Sequence, residues 1–342
     1  MWRELIAEAV ERDDVYPGVA WRLLQLARVE VDAGAWDAAA RLCDEAMEAA
    51  YQTGEQETLE LFGLTIRTEI DAYRGEAAEA RAQIAELFAV LEGRDHPLSS
   101  PRLRLMRALA LLDLSCGDAR SGWGHLEPLL SGVDELGESL AEIAGSVGIE
   151  ALIARGDLGT AERLLALLDE RAAGADTPLL PLARRCRGLL LADRGHHEAA
   201  IAALEAAAVE PEPPLEGNPF ELARTLLALG TVQRRARHKR AAREALQRAA
   251  EIFERLGARL WLEKARSELR RIGGRAASDG GLSETERQIV ELVVAGRRNR
   301  EVAAELSLSP NTVAWNLSKV YRKLGVSYRT ELAAHFNTTP LE

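Results

Sequence analysis

The chain has 342 residues, enough for two domains or a long run of repeated units, and a formal net charge of -11. Hydrophobic residues make up 47%, mostly Ala and Leu, and aromatics only 5%, a composition that favours helix over sheet. No apolar run reaches the roughly 18 residues of a membrane span, and the opening MWRELIAEAVERDD lacks the layout of a secretory signal. The expected location is therefore cytoplasmic, with no membrane partner.

Taken in chain order, the first feature is self-similarity. GAWDAAARLCDEA (34–46), GEAAEARAQIAEL (75–87), GDLGTAERLLALL (156–168), GHHEAAIAALEAA (195–207) and RHKRAAREALQRA (237–249) share one grammar, and GDARSGWGHLEPL (117–129) follows it loosely. Each opens on Gly, or on Arg237 in its place, with a small residue five positions on and mostly apolar residues nine and twelve positions on. The anchors 34, 75, 117, 156, 195 and 237 lie 39–42 residues apart. A glycine that ends one helix, a small residue that admits a second helix closely, and one apolar face describe a helical hairpin. Hairpins of this kind cannot bury a core alone and must stack. Six stacked pairs predict a curved solenoid with a concave inner face over residues 1–274. Its repeats resemble tetratricopeptide repeats, with the loops at 92–101, 172–181 and 211–219 absorbing the longer period. Trp261, Leu262, Ala265 and Leu269 form the apolar stripe of a closing helix.

Charge is distributed unevenly. Residues 1–233 hold 21 Lys+Arg against 41 Asp+Glu, whereas 234–275 hold 14 against 5. So sharp a change of sign predicts different partners for the two stretches. The basic stretch either lies along DNA or docks on the acidic solenoid of this or another subunit. Cys43, Cys116 and Cys186 stand far apart within apolar helical patterns, so buried, reduced thiols are expected.

After RAASDGG (275–281), a small, polar linker, the pattern changes for 282–342. Ser283 and Glu286 have the spacing of a capping box, and Ile289, Val290, Leu292 and Val293 form one buried side. Asn299 is placed to cap a short second helix with Val302, Ala303 and Leu306 inward. Ser309 caps a third, with Pro310 at its first position, running to about Leu324. Val313, Leu317, Val320 and Leu324 share its inward face. A last short helix contributes Leu332, Ala333 and Phe336. Two helices joined by a tight turn, the second longer, form a helix-turn-helix whose helix 310–324 would enter the major groove. Its outward positions are Asn311, Ala314, Trp315, Ser318, Lys319 and Arg322. Ser309 and Thr312 are placed for phosphate, and Arg297, Arg298, Asn299 and Arg300 stand where a strand of double-stranded DNA would pass. Trp315 packs either on thymine methyls or sugar edges, or on a neighbouring side chain or a dimer mate.

The stretch 282–333 resembles the LuxR-type DNA-binding domain, through its L-[ST]-x-x-E opening, A-G-x-x-N-x-E-[IV]-A, L-x-[IL]-S-x-x-T-V and K-L-x-V-x-x-R-T-E-L ending. Residues 223–275 resemble the end of the helical-repeat region in the large, ATP-binding, MalT-like members of that family. The resemblance implies a dimerising transcriptional activator, with an inducer, small molecule or protein, met by the solenoid, and RNA polymerase as a further partner. Two departures stand out: Ala314 and Asn316 occupy positions where many relatives carry Lys and His, and no G-x-x-x-x-G-K-[ST] occurs in the chain. ATP is therefore not expected, nor any other cofactor. The sequence has no H-E-x-x-H, no G-x-S-x-G and no paired-cysteine set, so it offers no catalytic or metal site and no enzyme is expected. The competing reading is an interaction scaffold whose terminal domain mainly dimerises.

Overall fold

A computed structural model describes residues 18–53, 56–92, 100–131, 145–173, 177–209, 217–272, 284–306 and 310–324, with a few isolated positions between and after them. The chain divides into two compact units, Met1–Ile272 and Gly273–Glu342. Among the described residues both are helical, and no helix is long and apolar enough to cross a membrane.

The first unit pairs α1 (Val19–Asp32) with α2 (Trp36–Thr53), α3 (Gln56–Arg74) with α4 (Ala77–Leu91), and α5 (Ser100–Cys116) with α6 (Ala119–Leu130). It continues with α7 (Ser146–Arg155) and α8 (Leu158–Arg171), α9 (Leu179–Asp193) and α10 (His197–Ala207), α11 (Pro219–Arg235) and α12 (Lys239–Leu256), then the closing α13 (Arg259–Ile272). Every anchor of the sequence repeat has left-handed backbone, from Gly34 at φ 78 to Gly195 at φ 81. At each, the next N–H returns to the carbonyl five residues back, as Ala35 does to Glu30 and His196 to Leu191, which closes the helix and reverses the chain. The small residues at +5 (Ala39, Ala80, Gly122, Ala161, Ala200, Ala242) are buried, as are the residues at +9 and +12. The looser repeat at 117 therefore obeys the same rule, with Gly122 as its small residue.

Arg237 is the exception in chemistry but not in geometry. Its φ of 67 puts an L side chain where glycine sits in the other repeats, at a cost of roughly 1–2 kcal/mol. Arg237→Gly should therefore stabilise the unit by about 1 kcal/mol, part of the gain being offset by the freer unfolded chain. A thermal melt should show a rise of about 2–4 °C. A lower melting temperature would mean that the arginine side chain itself holds the turn.

The stack does not leave its inner face open. It curls until its last elements meet its first. Phe220 of α11 stacks on Tyr73 of α3 at 4.9 Å and lies 5.9 Å from Trp36 of α2, and Phe253 and Trp261 continue the aromatic cluster. A side chain at Gly75 would meet Leu260, and one at Gly34 would meet Pro219 and Leu256, so both turns fit against the far end of the unit. Lys264 of α13 donates to the carbonyl of Leu114, and Arg259 pairs with Glu76 at 2.7 Å. Part of the basic stretch is thus spent on the acidic first half of its own unit.

Where a concave surface was expected, the first helices of all six pairs bring charged residues together. Arg28 (α1) binds Glu69 (α3) at 2.6 Å, Arg107 (α5) bridges Glu69 and Glu221 (α11) at 3.1 and 2.7 Å, and Tyr73 donates to Glu69. Arg185 (α9) pairs with Glu150 (α7) and Glu221, and Arg224 (α11) with the same two carboxylates. Burial alone would raise the carboxyls of Glu69 and Glu221. The surrounding guanidinium groups outweigh it and hold both down at about 2: Arg28, Arg104 and Arg107 around Glu69, and Arg224, Arg185 and Arg107 around Glu221.

Two expectations need adjustment. Cys43 and Cys186 are buried, but Cys116 is exposed, because it is the final residue of α5 beside the Gly117 turn. Parts of the three long loops lie outside the described residues, although each precedes the first helix of a pair, as the excess length required.

Candidate nucleic-acid interface

The second unit is built on α14 (Glu284–Val294), α15 (Asn299–Glu305) and α16 (Pro310–Leu324). Gly296, at φ 87, ends α14: its N–H returns to Val293 and that of Arg297 to Leu292. Ile289, Val290, Val293, Val302, Ala303, Val313, Leu317, Val320 and Leu332 make one buried cluster, with Leu292, Leu306 and Leu324 partly buried at its edge. α16 packs on both α14 and α15. Its buried positions 313, 317 and 320 share one side, so helical register assigns positions 311, 314, 315, 318, 319 and 322 to the other. Val326 N–H closes its C-terminal end onto Tyr321.

The start of α15 departs from expectation. Asn299 does not cap the helix; it is the helix's first residue, and the cap position is Arg298 in extended backbone. Glu301 takes over the capping, its carboxylate accepting from the Arg298 N–H at 2.6 Å. Asn299 instead is half-buried, and its Oδ1 accepts from Arg329 at 3.5 Å. Arg297, Arg298 and Arg300 are exposed around this turn, and Ala314 is exposed on α16. Ser283, Ser309, Ala333 and Phe336 lie outside the described residues, as do the side chains of Asn311, Thr312, Trp315, Ser318, Lys319 and Arg322.

Sequence reasoning does not single out Arg329, and it marks Asn316 only as a departure from the family pattern. Arg329 donates to the carbonyls of Val293, at 3.0 Å, and Arg297, besides its contact with Asn299. One guanidinium thereby joins the end of α14 to the beginning of α15. Asn316 is buried on α16 at 2% exposure, a polar side chain inside the module rather than on its outer face. The arginine lay within the quoted R-T-E-L ending, but no local signal tells that it reaches carbonyls some thirty residues upstream.

Helical repeats followed by a separate unit of helix-turn-helix build define a two-part, all-α protein. Residues 281–336 match the family of bacterial regulatory proteins of the luxR type, so the second unit is a luxR-family domain. Over 53 residues the chain is 45% identical to proteins named as HTH-type transcriptional regulators in Mycobacterium bovis (strain ATCC BAA-935 / AF2122/97) and Mycobacterium tuberculosis (strain CDC 1551 / Oshkosh). It is 46% identical over 52 residues to the transcriptional regulatory protein UhpA of Escherichia coli (strain K12). The first two matches cover 16% of this chain and 6% of those proteins, and the third 15% and 26%. The family match lies within the second unit, and the chain spans only a small part of the length of these relatives.

Proposed function

We propose that the chain is a sequence-specific, DNA-binding transcriptional regulator that inserts α16 into the major groove. The observation that carries this reading is the division of α16: Val313, Leu317 and Val320 on its core side join the cluster with α14 and α15, and helical register puts positions 311, 314, 315, 318, 319 and 322 on the opposite side. Arg298 and Arg300 supply phosphate contacts beside the helix, with Ser309 and Thr312 at its N-terminus. Two copies on an inverted repeat would read half-sites about 34–36 Å apart. The repeat unit, 1–274, serves as the sensing part, joined to the reading domain, 282–342, through 275–281. The resemblance of 223–275 to MalT-like regulators favours activation, with RNA polymerase as the protein contacted, and a cytoplasmic location.

Selection from random duplexes by the full chain at about 0.15 M salt tests the reading, since that salt suppresses non-specific phosphate binding. One enriched motif supports it. No enrichment by the full chain or by residues 276–342 would turn the assignment toward an interaction scaffold. Lys319→Ala should weaken binding evenly across sequences and lower the slope of log K against log salt by about 1. Trp315→Ala should change the preferred sequence, and unaltered affinity and preference would remove Trp315 from direct readout.

A further inference from the structure

The charged hub of the first unit is not balanced. Among the described residues, five arginines (28, 104, 107, 185 and 224) and Lys264 meet the buried carboxylates of Glu69 and Glu221, the half-buried one of Glu150 and the exposed one of Asp32. That leaves an excess of two positive charges. Charge left uncompensated in a low-dielectric interior is costly, and proteins tolerate it where something else supplies the counter-charge.

One of the two charges belongs to the Glu69 end, where Arg28, Arg104 and Arg107 face Glu69 and Asp32, and the other to Lys264 beside Arg224 and Glu150; the two ends differ in how far they open. Arg185 and Arg224 keep 1% of their side chains exposed and each meets two carboxylates, Glu150 and Glu221; Arg224 also lies over the rings of Phe220 and Trp261, and Arg185 Nη2 and Arg224 Nε, buried without a hydrogen-bond partner, are closed off from solvent. Around Glu69 the situation differs. Arg28, Arg104 and Arg107 keep 16, 22 and 14% exposed, so this end of the hub opens to solvent. Among the described residues, the nearest carboxylate oxygen to Arg104, on Glu69, is 3.9 Å away and already accepts from Arg28, and Arg104 Nε donates to the Ser100 hydroxyl at 3.2 Å. Arg28 Nε is buried with no hydrogen-bond partner. Burial, then the charge of Arg28, push the Arg104 guanidinium below its ordinary value, the behaviour of a cation lacking a close anion.

We infer that Arg28 and Arg104, with Arg107 behind them, form a binding site for a small dianion bearing phosphate or carboxylate groups at the open end of this hub. The chemistry fits: guanidinium forks bind both groups through paired, charge-assisted hydrogen bonds, and two negative charges cancel the excess. The location also suits a signal. Arg28 stands on α1, Arg104 and Arg107 on α5, and Arg107 already holds Glu221 on α11, so an anion there binds the first elements of the ring to its last. This inference rests on the reading of the repeat unit as the sensing part, and its test uses no DNA, so its failure leaves the DNA-binding assignment standing.

The experiment is isothermal titration of the full, unmutated chain with inorganic phosphate and, separately, with succinate, at fixed ionic strength near 0.15 M so that general screening stays constant. One saturable site per chain for at least one of the two is expected, phosphate alone pointing to a phosphorylated ligand and succinate alone to a dicarboxylate. Arg104→Gln should weaken that binding at least tenfold. Without ligand it should melt no lower than the unmutated chain, since it removes a charge the fold does not neutralise. The inference is overturned if neither dianion gives saturable binding, if Arg104→Gln binds as tightly as the original, or if the ligand-free variant melts distinctly lower.

Discussion

Replacing Glu221 by Gln should cost the first unit about 3–5 kcal/mol, the range for removing one partner from a buried, hydrogen-bonded charge network. Three guanidinium groups, on Arg107, Arg185 and Arg224, rely on this one carboxylate, and two of them are 1% exposed. Gln keeps the shape and one acceptor oxygen but no charge, so Arg185 and Arg224 are left to share Glu150, and Arg107 to share Glu69 with Arg28, and their burial is less compensated. For a unit of this size the melting temperature should fall by on the order of 10 °C. The contrast is Asp44→Asn at the exposed pair with Arg67, expected to cost about 0–1 kcal/mol. Equal effects from the two substitutions would mean that the hub contributes no more than a surface pair.

The same carboxylates set an acid limit. Glu69 and Glu221 titrate at about 2 in the folded unit against an ordinary value of 4.5. A depressed folded value means that the folded state holds these protons less tightly than the unfolded chain does, so stability is fully present above about 4.5 and drains away as pH falls towards 2. A melting temperature that is flat above pH 5 and declines steeply below 4.5 is expected, with a shallower decline in Glu221→Gln. An equal decline in that variant would assign the acid transition to other groups.

The repeats were legible because their grammar is local. A glycine in left-handed backbone and a small residue five positions later act within one hairpin, so even Arg237 could be placed by spacing alone. Closure of the ring was not legible, because it depends on pairs such as Arg107 with Glu221, 114 residues apart. In a single helix, RLRLMRALA and FELARTLL present isolated charges that read as a solvated face, and only the assembled unit turns them inward on one another. The helix-turn-helix core followed from apolar spacing, since Val313, Leu317 and Val320 lie four and three residues apart. Asn299 misled because Asn is a favoured cap. Glu301, three residues after Arg298, accepts instead from the Arg298 N–H, which fixes the cap at Arg298 and moves the helix start back by one.

Arg329→Ala should release the joint between α14 and α15 and cost the second unit about 2–3 kcal/mol, the scale of charged hydrogen bonds lost from carbonyls at the end of a helix. The acceptors are the carbonyls of Val293 and Arg297, at and just beyond the end of α14, where a cation also meets the negative end of the helix dipole. A small unit at roughly 0.05–0.15 kcal/mol per residue has only several kcal/mol to lose. Amide exchange in the full chain should therefore quicken across 284–305 while 219–256 stays unchanged, since the two stretches belong to separate compact units. Arg329→Lys keeps the charge but not the fork and should fall between. Unchanged exchange in Arg329→Ala would mean that the buried cluster around Val293 and Val302 holds the two helices without the clamp. If α16 reads DNA as proposed, the same variant should lose affinity increasingly as temperature rises, because α16 takes its orientation from the two helices that Arg329 ties together.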